Sequence, residues 1–501
     1  MMLVLLGALA LELVGGVAAI WLQRKPRVAL RVGFGATLVG CVIGLVPVVQ
    51  TLLGNSLLSF RRPWSVPYGE FYLELDALSA LFLFAILGLA GVAALYGSEY
   101  LEAYQNRKPL GATIFFFNLM VAAMAVVVMA RNGMLFLVAW EIMSLASYFL
   151  LTFEDEKPEV CEAGLTYLIA THLGAAFLFA MFVLAARETG SLNFDQFHLL
   201  AAASPTTSSV LFVLAVIGFG AKAGFVPFHV WLPEAHPAAP SHVSALMSGV
   251  MIKTGIYGIL RLLTYLGPPP AWWGILLLII GALSGILGIL YALAQRDLKR
   301  LLAYSSVENI GVIGLGIGVG LLGQASGQLL VSAAGYAGAL FHILNHALFK
   351  GLLFLGAGSV LHATTTRNME KLGGLLKTMP RAGILFLLGS VAICALPPMN
   401  GFVSEWFIYN GMLRGGFAIT GSIGLLLVFS AVGLAFIGSL ALAAFSKAFA
   451  IVFLGEPRSQ YARRPHDAGA RMNTAMTLLA AGCILAGLYP SLVMKLILPG
   501  V

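Results

Sequence analysis

Apolar stretches of about 20 residues follow one another along the whole of this chain. That length lets an α-helix cross the hydrocarbon core of a bilayer. Because only helices and closed barrels satisfy their backbone polar groups in lipid, the pattern predicts an all-α polytopic membrane protein. The fourteen predicted spans lie near residues 2–22, 28–53, 76–98, 110–130, 133–153, 162–187, 207–232, 240–266, 272–294, 300–322, 329–361, 382–412, 420–454 and 474–497.

Composition supports this class, because charged residues make up 10% of the chain against roughly 25% in soluble domains. No stretch reads as a linker or a soluble domain. We keep the first stretch as a span because it lacks the basic start and cleavage site of a signal peptide. The predicted organisation is a single membrane domain, 1–501, with N-terminal helices at 1–109, a first repeat at 110–266, a second repeat at 272–454 and a C-terminal helix at 474–501.

Lysine and arginine are distributed unevenly between the two sets of loops. One set carries eighteen of these residues and the other carries seven, while four lysines lie inside spans. The positive-inside rule places the richer set in the cytoplasm, which puts both termini on the outer side of a plasma or inner membrane. The net charge of +8 therefore reflects topology, and we expect no nucleic-acid partner.

The sequence shows no cofactor motif. Its four cysteines form no CxxC pair, and no glycine-rich phosphate loop is present. Paired or clustered cysteines are the usual sign of a metal centre or a disulfide framework. We expect no metal, cofactor or catalytic centre in this chain.

Two spans contain helix breakers at membrane depth. Span seven has four prolines and span twelve has a proline pair followed by glycine: Pro227, Pro233, Pro237 and Pro240, then Pro397, Pro398 and Gly401. Discontinuous helices in corresponding halves of a membrane chain point to a transport site. Both breaks contain the letters GFV, and each lies in a group of five spans, 4–8 and 9–13. An odd number of spans per group predicts two repeats of inverted orientation.

Ionisable side chains lie inside these apolar spans. A charge at the bilayer centre costs at least about 2.5–3.5 kcal/mol, so such residues indicate function. We expect Glu141 to face the interior and pair with a buried lysine, although Ser144 and Tyr148 could instead satisfy it locally. A change in their separation would then load or unload a proton on the amine. The candidate lysines are Lys222, just before the break in span seven, and Lys253, in the middle of span eight.

Span eleven carries three ionisable residues, His342, His346 and Lys350, at i, i+4 and i+8. Residues with this spacing share a helix face, which favours a proton relay over purely structural histidines. A haem is disfavoured because neighbouring histidines on one helix cannot occupy opposite axial positions. Glu405, after the second break, is the expected outlet acid.

Further ionisable residues are weaker candidates. Glu308 is in the repeat position of Glu141 but could be interfacial, and Lys447 lies near the cytoplasmic end of span thirteen. Asp76, at the start of span three, is expected to cap a helix. Three histidines accompany the first break, where capping is as plausible as proton passage: His229, His236 and His242.

The chain resembles the antiporter-like subunits of respiratory complex I, Mrp cation/proton antiporters and membrane-bound NiFe hydrogenases. The resemblance runs from about residue 70 to 410 through LELDALSALF, FLVAWEIMSLASYFLL, AKAGFVPFHVWLPEAHPAAPSHVSALMSGVMIKTGIYGILRL, RDLKRLLAYSSVENIG and FHILNHALFKGLLFLGAGSV. It implies fourteen transmembrane helices with two inverted five-helix repeats. Within the family, LPPMNGFVSEWFIYNG and HATTTRNMEKLGGLLKTMP look most like the hydrogenase-4 or formate-hydrogenlyase component B type.

The resemblance also assigns roles to individual residues. It implies a proton path that starts at a Glu141–Lys222 pair and continues through Lys253 and His346 to Glu405. Relatives in complex I often have a histidine where this chain has Asn309. Glu308, or His342 with Lys350, could supply that missing link.

Taken with the buried residues, the resemblance implies a proton-translocating membrane subunit of a redox complex similar to group 4 NiFe hydrogenases or complex I. Partner subunits, membrane and soluble, would carry the Fe–S clusters and possibly a NiFe centre. Three alternatives stay open: a Mrp-type Na⁺/H⁺ antiporter subunit, the membrane subunit of a proton-driven inorganic carbon uptake system, and a purely structural subunit.

Overall fold

The computed structural model describes residues 1–54, 56–463 and 465–498. Arg464, counted above among the cytoplasmic charges, and the last three residues of the predicted C-terminal segment lie outside them. The described part contains eighteen α-helices. They are α1 (Met2–Trp21), α2 (Pro26–Gly54), α3 (Ala77–Tyr100), α4 (Leu110–Met129), α5 (Gly133–Leu151), α6 (Pro158–Thr189), α7 (Pro205–Ala223), α8 (Leu232–Ala238), α9 (Ser241–Leu246), α10 (Lys253–Leu263), α11 (Ala271–Ala294), α12 (Leu298–Ala325), α13 (Leu329–Thr364), α14 (Pro380–Ile393), α15 (Asn400–Ala418), α16 (Ser422–Phe453), α17 (Ala470–Leu488) and α18 (Pro490–Ile497).

Thirteen helical segments of the described residues are long and apolar enough to cross a membrane. They correspond to thirteen of the fourteen predicted spans, which confirms the all-helical membrane class. The remaining predicted span, 382–412, is divided between α14 and α15. The physical reason is the Pro397-Pro398 pair, which cannot donate backbone hydrogen bonds to a continuous helix.

The chain forms two compact units, each described by itself. Among the described residues, unit 1 contains Met1–Gly224 and Val250–Pro268, and unit 2 contains Phe225–Gly249 and residues 269–498. In unit 1, α7 packs against α6 and α10. In unit 2, α12 packs against α11 and α13, and α13 also packs against α15.

Both predicted breaks are present in the structure. Helix α7 ends at Ala223, and Gly224 follows in the left-handed conformation with φ of +85°. Glycine adopts this conformation without the steric penalty of a side chain, and it is the usual residue after a helix end. The second break separates Ile393 from Asn400.

An unpredicted β-hairpin lies between α2 and α3. Its strands are β1 (Leu58–Pro63) and β2 (Glu70–Leu75), which pair antiparallel with Leu58 opposite Leu75. The Arg61 guanidinium donates hydrogen bonds to both carboxylate oxygens of Glu70, at 2.5 and 2.7 Å. The hairpin therefore orders a connection that the sequence analysis treated only as a loop.

Candidate functional site

Lys222 lies in the last turn of α7 and is buried, with 1% of its surface exposed. Its ammonium donates hydrogen bonds to Ser144 Oγ on α5 and to the Tyr167 hydroxyl on α6, both at 3.0 Å. The ammonium also lies 5.1 Å from the centroid of the Tyr167 ring. Hydroxyl groups can accept from a protonated amine and donate to a neutral one, so this setting tolerates both states.

The contacts of the Glu141 side chain differ from those that the sequence predicted. Its carboxylate lies 3.3 Å from His172 Nε2 on α6, and the two side chains are 34% and 49% exposed. The expected ion pair between Glu141 and Lys222 is not formed, and the Glu141 side chain is half-buried rather than fully enclosed. The reason is geometric: the outward face of α5 that carries Glu141 meets His172, whereas Ser144 lies on the buried side and reaches Lys222.

His172 was missed in the sequence analysis. It lies in the middle of α6, in an otherwise apolar stretch, so the signal used for the buried lysines applies to it as well. Its Nδ1 is 2.9 Å from the carbonyl oxygen of Leu168. That contact fixes the ring so that Nε2 faces Glu141.

Lys253 begins α10 and is 1% exposed. A π-helical turn, Met247–Met251, comes just before it. Such turns are rare and are found frequently at functional sites. The sequence analysis placed Lys253 correctly at mid-span but gave no sign of the π turn.

A buried charged network surrounds Asp76 at one end of unit 1. Asp76 caps α3 by accepting from Ser79 N at 2.9 Å, as expected. Its carboxylate accepts two hydrogen bonds of 2.7 Å from Arg261 and lies 3.1 Å from Arg131. Burial alone would raise the pKa of Asp76, but the two arginines outweigh it and hold that pKa below its ordinary value.

In unit 2, a continuous hydrogen-bonded chain joins α12, α13 and α15. Asn309 Nδ2 donates to Ser305 O at 2.8 Å and to the Glu308 carboxylate. This orients the amide so that Asn309 Oδ1 faces His342 Nε2, at 3.0 Å. His342 Nδ1 lies 3.0 Å from Ser404 Oγ. All these side chains are buried, so Glu308 is not interfacial.

The partners of His342 define its two protonation states. Because Asn309 Oδ1 can only accept, Nε2 carries a hydrogen. Ser404 Oγ donates to Gly401 O at 3.0 Å in this structure, which leaves it as the acceptor for a second hydrogen on Nδ1. If the hydroxyl turned to Nδ1, the ring would be neutral. Either protonation state of His342 can therefore find a hydrogen-bond partner at Ser404, which accepts in one case and donates in the other.

Lys350 and His346 lie on the same buried face of α13 as His342. Lys350 donates to Leu302 O at 2.7 Å and to Ser305 Oγ. The His346 ring centroid lies 6.4 Å from that of His342 and 5.4 Å from that of Phe349. The predicted stripe therefore exists, and its two ends reach α12 at Ser305 and Asn309.

Glu405 follows Ser404 on α15 and is 8% exposed. It borders a cavity of 330 Å³ that is also lined by Cys394, Trp406, Tyr409 and Ser439. A cavity of this size has room for several water molecules. Water could therefore reach the carboxyl from this side.

Lys447 and His229, the two weaker candidates for proton transfer, lie outside the networks described above. Lys447 donates to the carbonyl oxygens of Leu293 and Gln295, at 2.6 and 2.8 Å, at the end of α11. Those contacts satisfy the last carbonyls of a helix, and a proton-carrying role for Lys447 stays a prediction. His229 lies in the connection between α7 and α8 and is partly exposed.

Fold and buried groups together define an antiporter-like polytopic membrane protein. Residues 130–435 match the family described as NADH:quinone oxidoreductase/Mrp antiporter, transmembrane. The match covers more than half of the chain, and the chain belongs to this family.

Individual proteins show the same relationship. The chain is 43% identical to hydrogenase-4 component B of Escherichia coli (strain K12) over 97% of its own length and 72% of that protein. Its fold is similar to that of a chain of the archaeal membrane-bound sulfane sulfur reductase, with a TM-score of 0.83 and 25% sequence identity. The match covers 98% of this chain and 77% of the reductase chain. Its fold is also similar to that of a chain of the Mrp complex from Dietzia sp. DQ12-45-1b, with a TM-score of 0.82 and 26% sequence identity. That match covers 99% of this chain and 52% of the Mrp chain.

Proposed function

We propose that this chain is the proton-translocating membrane subunit of a multi-subunit redox complex of the group 4 NiFe-hydrogenase or complex I type. The observation that carries the proposal is the hydrogen-bonded chain from Glu308 through Asn309 and His342 to Ser404, which ends beside Glu405. Every link is a group that can donate, accept or hold a proton. The 43% identity to hydrogenase-4 component B supports the type of complex.

In this proposal, Lys222 and Lys253 serve unit 1, while His342, His346 and Lys350 with Glu308 and Glu405 serve unit 2. Electron transfer in partner subunits would supply the energy, and their Fe–S clusters or NiFe centre would carry the electrons. The chain would lie in the plasma or inner membrane with both termini outside, as the loop charges indicate.

The Glu141–His172 pair supports assembly with another membrane subunit. Both residues are at mid-helix, and both are partly exposed on the outer face of α5 and α6. Ionisable groups in a membrane span almost always face protein or water. A neighbouring subunit that covers this face would remove them from lipid.

The test is proton transport by the assembled complex in proteoliposomes, with a pH-sensitive dye trapped inside. We expect Lys222→Ala and Glu141→Gln to assemble. Loss of the amine should lower redox-driven proton uptake by about 10²-fold, the typical effect of losing a positioned proton-transfer group. Lys377→Ala removes an exposed lysine and serves as the control. Normal coupled transport with both Glu141 and Lys222 replaced would refute the proposal.

A second candidate function is Na⁺/H⁺ antiport, favoured by the similarity to a chain of the Mrp complex. Transport that depends on Na⁺ and continues without a redox donor would identify it. The same proteoliposomes therefore distinguish the two functions.

A further inference from the structure

A buried carboxyl group lies in the N-terminal helices, apart from every residue considered above. Glu12 is at the middle of α1 and is 0% exposed. Its Oε1 accepts a hydrogen bond from the Cys41 thiol on α2 at 3.5 Å. Its Oε2 has no hydrogen-bond partner among the described residues.

The surroundings of Glu12 are built to accommodate it. Asn118 on α4 donates to the Glu12 backbone carbonyl at 2.7 Å and accepts from Thr37 on α2 at 2.6 Å. At Gly40, a methyl group would lie 2.6 Å from Glu12 Cγ and 2.9 Å from its Oε1. Glycine at position 40 thus leaves the space that the carboxyl occupies.

Among the residues that the structure describes, no cation forms an ion pair with this carboxyl group. Helix α4 contains no charged residue. Strand β1, which also packs against α1, carries Arg61 and Arg62, and Arg61 pairs with Glu70 and Asp195 rather than with Glu12. On α2, Arg27 and Arg31 lie 13 and 9 residues before Gly40, which is about 20 and 13 Å along a helix axis. An isolated buried carboxylate costs far more than a buried neutral acid, and such a group neutralises itself by binding a proton.

We propose that Glu12 is a proton-binding site, a neutral carboxylic acid held between α1 and α2 with the Cys41 thiol on its carbonyl oxygen. Its ligand is a proton, and the unpartnered Oε2 is the atom that carries it. The proposal depends only on the packing of α1, α2 and α4, and it is independent of the proposed transport function.

Infrared difference spectroscopy of the full chain in lipid membranes at neutral pH tests the protonation state directly. Subtraction of the Glu12→Gln spectrum from the wild-type spectrum should leave the carbonyl stretch of a carboxylic acid, which shifts in deuterated buffer. Glutamine has the size of the neutral acid, so we expect the variant to fold. Glu159→Gln, which removes an exposed glutamate, should instead leave carboxylate bands.

A second variant keeps the test decisive if Glu12→Gln does not fold. In Cys41→Ala the thiol no longer donates to Oε1, so the acid carbonyl band should move to higher wavenumber. If the wild-type minus Glu12→Gln spectrum showed carboxylate bands, as the Glu159→Gln control should, Glu12 would be ionised and the proposal would be overturned. If those bands changed with Na⁺ at constant pH, the ligand would be a sodium ion rather than a proton.

Discussion

At the scale of single residues, His342 is held in a defined orientation by a neighbour that does not titrate. That neighbour is the Asn309 amide, whose two donated hydrogen bonds leave only its oxygen for His342. A histidine is often found at this position in complex I relatives. Here the amide links Glu308 to His342 by hydrogen bonds, and those two side chains are of the types that can take up a proton.

Replacement of Asn309 by alanine should interrupt this chain. The buried His342 Nε2 and the Glu308 carboxylate would each lose a partner, and an unsatisfied buried polar group costs about 1–3 kcal/mol. We expect the free energy of unfolding in detergent to fall by about that amount, together with a loss of redox-driven proton uptake.

Asn410→Ala is the matched control. That side chain donates to Trp406 O on the same helix as Glu405 but is partly exposed, so its loss should change stability by less than about 0.5 kcal/mol. Equal effects of the two alanine variants would contradict a special role for Asn309.

Asp76 offers a prediction about pH. Because Arg261 and Arg131 hold the pKa of Asp76 below its ordinary value, its carboxylate stabilises the fold fully above about pH 4 and loses this effect as the pH falls. Removal of one partner of a buried ion pair costs about 3–5 kcal/mol. Asp76→Asn should therefore lower stability by that order at pH 7, and its difference from the wild type should shrink in acid.

The control for Asp76 is Asp195→Asn, since Asp195 pairs with Arg61 at an exposed site. Exposed pairs contribute about 1 kcal/mol or less. The free energy of unfolding of the two variants would be measured with denaturant at pH 7 and at pH 3.5. A difference for Asp76→Asn that did not change with pH would argue against this account.

At the scale of elements, close backbone contact joins α11 to α12. A methyl group at Gly311 would lie 2.4 Å from Gly285 N and 2.5 Å from Gly281 O. Small residues allow helix backbones to approach in this way. The contact is one turn from Glu308 and Asn309, so the position of the hydrogen-bonded chain depends on it.

Gly311→Ala should therefore separate the two helices. Overpacking of this kind costs typically about 1–3 kcal/mol, and we expect thermal unfolding at a lower temperature. Gly433→Ala in α16 is the control, because a methyl group there meets nothing within 4 Å. If the two variants unfolded at the same temperature, the contact would be looser than described.

The helical elements followed directly from the sequence, because proline, glycine and the length of apolar stretches act locally. The breaks in spans seven and twelve are where the prolines predicted them. The π turn before Lys253 and the β1–β2 hairpin depend on packing between distant segments. Local patterns carry little information about such packing.

Site residues were predictable as buried ionisable groups but not as pairs. The sequence identified Glu141 and Lys222 yet could not show that one faces outward and the other inward, since a small helix rotation decides this. Glu12 was overlooked although a lone glutamate in an apolar helix is the same signal. His172 is likewise a lone ionisable residue in an apolar stretch of its helix.

At the scale of the whole molecule, the proposed topology can be tested with a natural reporter. Cys161, at the start of α6, is exposed, whereas Cys41, Cys394 and Cys483 are buried. The proposed orientation places Cys161 on the cytoplasmic side. A membrane-impermeant maleimide should label the chain in inverted vesicles and leave it unlabelled in intact cells.

Cys161→Ser should abolish that labelling, which shows that the reporter is specific. Labelling from the outside of intact cells would reverse the assigned orientation. The measurement needs no partner subunit, so it is informative even where the chain is produced without the rest of a complex.

The glycine contact between α11 and α12 also has a mechanical consequence. Two helices whose backbones touch cannot slide or roll past each other without collision. Helices α11 and α12 are therefore expected to move together as a rigid pair within unit 2. A movement within unit 2 that keeps this contact intact would come from side-chain rotation, such as that of Ser404, or from bending at the gap between α14 and α15.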